Sequence, residues 1–340
     1  MSSGFIPVEN NRGIFLPQAG VWLDPQTARP LAIVTHGHSD HVAPHGTTTA
    51  TPGTAAILQQ RYPRKRAAYD VRPYHAPWEQ QGHRIELLPA GHILGSAMVH
   101  VTRLSDGASL LYTGDFKLRA SPAAEPAAPQ TADTLIMECT FGRPGYVFPP
   151  REEIRQQVLH WCRCQLDDGR TPVLLGYALG KAQEILRLFD GADFPLAVHP
   201  GIAAMCQVYE TLGLTFPPFH TVTAENAMVL APGRVLVMPP NAVRGPILAG
   251  IRGTATAMLS GWALPSGARF RFRVDAAFPL SDHADFPELL QLVERVQPGR
   301  ILTTHGFCRD FAATLRRRRW NAWCLKGEDQ LEFDFLTAEG

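Results

Sequence analysis

The segment His36-Gly37-His38-Ser39-Asp40-His41 places three imidazoles and one carboxylate within six residues. It follows the apolar run Leu31-Ala32-Ile33-Val34 and so caps a buried strand. In an extended loop His36 and His38 point the same way, while Asp40 and His41 fall on the adjacent side. One short segment can thus serve two metal ions lying close together. Imidazole and carboxylate ligands suit zinc, manganese or iron, and the chemistry that such ions support is hydrolysis. A lone histidine on an apolar face is usually a satisfied core residue, but four ligating groups packed this tightly are not.

Two other segments have the same form, an apolar strand ending in a metal-type residue. Pro89-Ala90-Gly91-His92 places His92 in a glycine-flanked loop, and Leu110-Leu111-Tyr112-Thr113-Gly114-Asp115 places Asp115 directly after a strand and a glycine. His45, His75 and His83 sit in no such motif and read as surface histidines. Around these residues the chain alternates short apolar runs with turn signals up to about residue 120. A Pro/Ala stretch, 121–130, reads as an exposed connection. Helical spacing over 151–166 begins a strand–helix alternation that runs to about 250 and implies a parallel sheet. From Ala255 short strands are expected again (256–263, 270–280 and 300–306), with one helix that starts at Asp285 and carries Pro287 in its first turn. Metal-type residues fall in the first 140 positions and the last 80, the pattern of one catalytic domain interrupted by another.

The HxHxDH, GHxxGS and TGDF motifs, in this order, resemble the metallo-β-lactamase superfamily. The resemblance implies that His36, His38 and His92 bind one metal ion, that Asp40 and His41 bind a second, and that Asp115 bridges the two. Beyond Asp115 the chain runs on through Met137-Glu138-Cys139, an α/β stretch, Ser281-Asp282-His283 and Thr304-His305-Gly306. This is similar to the β-CASP branch, whose members are nucleic-acid nucleases. The implied fold is α/β, an αββα sandwich with an inserted α/β cap: residues 1–148, a cap over 149–256, and the sandwich again over 257–340. Glu138, His283 and His305 fill the branch's later motif positions. His305 would complete the second metal, and His283 would be the general acid for the leaving oxygen. Glu138 would hydrogen-bond His283 and favour its protonated form, and Asp40 would help orient the water activated by the two metals. The catalytic set is then Asp40, Glu138 and His283, with zinc and/or manganese as cofactors.

Within the cap, Gly176-Tyr177-Ala178-Leu179-Gly180-Lys181 runs from a strand through a loop into a helix. Helix-start N–H groups and a lysine make a phosphate-binding corner, although the spacing is not that of a Walker A loop. The segment resembles the Tyr-x-x-Gly-Lys stretch that, in the exonucleases of the branch, lies where the terminal phosphate binds. Tyr177, Gly180 and Lys181 are the candidates. Arg316–Arg319 reads either as a nucleic-acid patch or as a solvated helix face, because four consecutive residues spread all round a helix.

Composition limits the classes. A chain of 340 residues with 45% hydrophobic and 19% charged residues is a packed globular protein. Its net charge of +1 means that a nucleic acid must be held by a local patch. No signal peptide and no membrane span is expected, and the six cysteines read as reduced thiols in a cytoplasmic protein. Cys162 and Cys164 diverge on a helix and do not form a zinc knuckle. The compact length resembles the bacterial DNA ligase-associated exonucleases. That resemblance implies 5′→3′ digestion of DNA, single-stranded, in repair, in functional association with a DNA ligase and a helicase. The alternative is an RNA endonuclease or exonuclease of the mRNA 3′-end-processing type, to which the histidine at 305 points. A binding subunit on an inactive scaffold and a small-molecule hydrolase are further readings; the filled ligand positions oppose the first, and Glu138, His283 and the cap oppose the second.

Overall fold

The computed structural model describes residues 4–63 and 68–325. The chain separates into two compact units, one built from residues up to Val147 and from His283 onward, the other from Phe148–Asp282. The expected second boundary, 256/257, is therefore corrected to 282/283. The cause is strand pairing: Thr254–Leu259 and Ala276–Phe278 belong to the sheet of the second unit, where Thr254–Leu259 pairs in parallel with Thr171–Leu175.

The first unit contains two mixed sheets. Among the described residues one has six strands, running from Glu9–Asn10 to Ala68–Val71 in chain order. The other has seven, in the order Ala322–Cys324, Arg300–Gly306, Thr134–Cys139, Ser109–Tyr112, Ala97–Arg103, His83–Pro89, Trp78–Gln80. Strand alternation distributes the side chains of the second sheet between two cores. Ile85, Leu87, Val99, Leu110, Tyr112 and Ile136 join Leu16, Leu23 and Ile33 from the first sheet. Leu88, Met98, Leu111, Leu135 and Met137 face the opposite way, onto helices Phe286–Val296 and Cys308–Arg317. This is the layered metallo-β-lactamase sandwich. The helix at Phe286 starts where the sequence places it: Asp285 caps it, Glu288 closes a capping box, and Pro287 lies in the first turn.

The second unit is a six-stranded parallel sheet. Its strands read as near-continuous apolar runs because both faces are covered. Leu174, Leu196 and Val198 pack into one cluster, and Val173, Leu175 and Ala197 into the other. One expected strand, 270–280, is instead the short helix Ala268–Phe272 followed by the strand Ala276–Phe278. Alternating arginine and phenylalanine mimics a strand pattern, and only the sheet edge decides where pairing begins.

Three other expectations change. His45 and His83 are buried, at 4% and 3% exposure, whereas His75 is exposed. His45 Nδ1 accepts the N–H of Arg29, and His83 Nδ1 donates to the Gln81 carbonyl, so each is drawn inward by a backbone partner. The 121–130 stretch is mostly half-buried rather than exposed, with Ala123 at 3% exposure. All six cysteines are free, and Cys162 faces the core while Cys164 is only partly covered. Among the described residues no helix is long and apolar enough to cross a membrane.

Candidate metal centre and catalytic site

The site residues of the first unit come from strand ends and the loops that follow them. His36 and His38 leave the strand Leu31–Ile33, and Ser39–His41 forms a single tight turn that brings Asp40 and His41 back to the same place. Asp115 follows the strand Ser109–Tyr112 through Gly114, whose φ is +53° and where a Cβ would lie 2.6 Å from Thr35 Oγ1. No side chain larger than glycine's hydrogen fits there, so the close approach of the two loops depends on this residue.

Four ligating atoms, from His36, His38, His92 and Asp115, lie within 4.8 Å of one another. Asp115 Oδ2 is central: it lies 3.4 Å from His36 Nε2, 3.4 Å from His41 Nε2 and 4.0 Å from His92 Nε2. His41 Nε2 is also 3.6 Å from Asp40 Oδ2. The ring of His305 stacks on that of His41, with centroids 5.2 Å apart. The structure thus gathers every histidine and aspartate of the expected metal set, most tightly around Asp115.

The electrostatics of the cluster are those of a cation site. His36 Nδ1 is held by Thr35 Oγ1 at 3.1 Å and His41 Nδ1 by Asp24 Oδ2 at 2.8 Å. Thr35 Oγ1 already donates to Asp24, so it must accept from His36, which leaves the Nε2 lone pair of His36 facing Asp115. His36 Nε2 and His41 Nε2 are both buried without a hydrogen-bond partner. An unpartnered polar atom is costly in an interior, and a divalent cation between imidazole and carboxylate would satisfy both. Burial, reinforced by His41, pushes the pKa of His36 well below its ordinary value. Burial would lower His41 too, but the carboxylates of Asp115, Asp40 and Asp24 prevail and raise it well above. For Asp115, burial is outweighed by His41, His283 and His36, which hold its carboxyl well below the usual range. The residues present fit divalent ions.

Sequence reasoning missed Asp24, which organises this cluster. Its Oδ2 accepts from His41, from Thr35 Oγ1 at 2.6 Å and from Tyr112 OH at 3.0 Å, and its Oδ1 accepts the Thr35 N–H at 2.7 Å. The signal was there to use, since Val21-Trp22-Leu23-Asp24 is one more apolar strand ending in a carboxylate. Glu125 was missed too. Its Oε2 accepts the N–H of Gly95 at 3.0 Å, tying the half-buried 121–130 segment to the His92 loop.

Glu138 is 1% exposed and fully committed. Its Oε1 accepts from Phe116 N–H and faces His283 Nδ1 at 2.9 Å, and its Oε2 accepts from the backbone and hydroxyl of Thr140. Nδ1 of His283 is thus committed to Glu138. Its ring lies 4.6 Å from that of His92, so the Glu138–His283 pair adjoins the metal-type cluster.

In the second unit the residues of the expected phosphate corner have partners within the chain. Lys181 is 2% exposed, and its Nζ lies 3.2 Å from Glu184 Oε2 and 3.0 Å from Asp282 Oδ1. The N–H of Gly180 already donates to Gln183 Oε1 at 2.7 Å. Charge and donor are both engaged within the unit, which weighs against Gly180 and Lys181 as a phosphate corner without testing it; Tyr177 is half-buried. Arg316–Arg319 are exposed, with Arg316 and Arg317 closing the helix Cys308–Arg317 and the other two beyond it.

Residues 271–325 match the family described as Zn-dependent metallo-hydrolase RNA specificity domain. A protein named probable DNA ligase from Opitutus terrae is 42% identical over 332 residues, covering 97% of this chain and 32% of that protein. Transcription termination factor FttA from Methanocaldococcus jannaschii is 25% identical over 299 residues, covering 69% of this chain and 47% of its own. The chain thus spans about a third and about half the length of these two relatives. A solved structure, that of a protein of unknown function from Enterococcus faecalis V583, superposes with a TM-score of 0.56 at 12% identity, over 80% of this chain and 74% of its own, a likeness of fold alone. Taken with the motifs and the His/Asp cluster, these matches make the chain a member of the β-CASP metallo-β-lactamase family, Zn-dependent metallo-hydrolases in which two divalent ions are typical.

Proposed function

We propose that the chain is a metal-dependent phosphodiesterase that digests DNA, single-stranded, from the 5′ end in repair. The observation that carries the reading is the pairing of buried Glu138 with half-buried His283 beside the Asp115 cluster. A phosphodiester needs its charge stabilised and its leaving oxygen protonated, and these two groups of residues divide those tasks. His36, His38 and His92 would hold one divalent ion, Asp40, His41 and His305 the other, and Asp115 would be shared. When bound, zinc or manganese supplies Lewis-acid polarisation and lowers the pKa of water. Asp40 orients the attacking water. His283 gives a proton from Nε2 to the leaving oxygen, while Glu138 keeps Nδ1–H in place and favours the charged ring.

The choice of DNA is supported by the 42% identity, across 97% of the chain, to a relative named for DNA ligation. The same relative supports action alongside a ligase. RNA is the second reading, favoured by the match of residues 271–325 to an RNA specificity domain and by the relative named for transcription termination. The test is incubation of purified protein with manganese or zinc and end-labelled DNA or RNA, with and without a 5′-phosphate. Progressive shortening of DNA from the 5′ end is expected. Internal cuts in RNA, with DNA left intact, overturn the DNA reading in favour of the second.

A further inference from the structure

His305 does not lie in regular strand. The parallel pairing of Thr134–Cys139 with Arg300–Gly306 runs in register to Glu138 opposite Thr304, then skips, so that Cys139 faces Gly306. His305 is the extra residue of a β-bulge, with a φ of +55°, and Gly306 follows at +68°. A Cβ on Gly306 would lie 2.2 Å from Thr140 Cα, so the chain has no room to relax after the bulge. A bulge removes one residue from the ladder and leaves its carbonyl to find another partner. Here that carbonyl accepts from two thiols, Cys139 Sγ at 3.0 Å and Cys308 Sγ at 3.3 Å; Cys139 Sγ also lies 3.4 Å from the Thr304 carbonyl, the longer of its two contacts. Both cysteines are free and essentially fully buried, one on each flank of the bulge.

We propose that Cys139 and Cys308 are positioning residues, whose S–H groups clamp the His305 carbonyl and hold its imidazole beside His41. The inference rests on the reading of His305 as a ligand of the second metal ion. The two donors converge on the carbonyl of the residue whose left-handed backbone sets its ring beside His41. Other roles for these thiols fit poorly. They lie too deep to attack a substrate, and each donates to a backbone oxygen.

The experiment strips the full-length protein with a chelator and titrates it with Zn²⁺, counting bound ions by equilibrium dialysis and recording Tm for every variant. Cys139→Ala and Cys308→Ala remove the donors, Cys139→Ser and Cys308→Ser keep a shorter one, and His305→Ala is the control. The first ion is expected to bind the alanine variants as it binds the parent. The second should bind about 10- to 100-fold more weakly, the usual cost of losing a group that orients a ligand. The serine variants should recover part of that loss. A folded alanine pair that takes up both ions with unchanged affinity overturns the clamp, as do serine variants no better than alanine. If His305→Ala itself binds both ions normally, the ligand reading fails and the clamp falls with it. Should the double alanine variant not fold, Cys308→Ala against Cys308→Ser gives the same comparison.

Discussion

Each of the two units buries a charged cluster, and the clusters differ in what they leave unsatisfied. In the second unit Lys181 is closed between Glu184 and Asp282, so the charges are compensated within the chain. In the first unit the imidazoles of His36 and His41 face Asp115 with Nε2 atoms that have no hydrogen-bond partner. Both arrangements take charge out of water at a cost. One resolves it within the unit. The other leaves buried imidazole nitrogens beside a carboxylate, a donor set that fits a cation. Burial and charge alone do not separate the two cases; the unmet valence does.

Removing the metal tests the distinction most strongly. Chelation should abolish hydrolysis, and adding back zinc or manganese should restore it and raise Tm, since a ligand bound only by the folded state stabilises it. A protein fully active after exhaustive chelation, with metal content checked by elemental analysis, would make the first cluster structural as well. Next in size is His283→Ala, for which a loss of about 10²- to 10⁴-fold in kcat is expected, the range for a general acid. Its metal content should not change; an equal loss of metal would move His283 into the coordination sphere. Asp24→Asn should weaken metal binding by about 10- to 100-fold, because Asp24 orients His41 directly and His36 through Thr35. Unchanged affinity in a titration would show that the ring positions are fixed by packing alone. The smallest effect on catalysis belongs to Lys181→Met. It should cost about 3–5 kcal/mol of stability in denaturant unfolding, by removing the buried cation that faces Glu184 and Asp282. A folded variant should cut 5′-phosphate and 5′-hydroxyl ends in the parent's ratio; a loss confined to phosphorylated ends would return Lys181 to the phosphate.

The residues gathered around Asp115 were legible because each motif is local. An apolar strand followed at once by His36, His92 or Asp115 can be read without any contact map. The helix at Phe286 was equally plain, since Asp285, Pro287 and Glu288 state its start within four residues. The ion pair of Lys181 was not legible because its partner Asp282 lies about a hundred positions away, and a glycine-lysine pair at a helix start looks the same with or without that carboxylate. The cap boundary was drawn too early for a related reason. Short strands look alike in sequence whichever sheet receives them, and Thr254–Leu259 and Ala276–Phe278 were claimed by the parallel sheet.

The sequence by itself determined the chemistry: which side chains can ligate, at the ends of which strands, and in which family's order. Tertiary structure decided which of them are held and which are already spent. Asp24 reaches His41 across 17 positions and Tyr112 reaches Asp24 across 88, and the bulge that turns His305 toward His41 exists only where two strands pair out of step. Residue type and spacing fix what an atom can donate or accept. Only packing brings the partner that uses it, or leaves the place open.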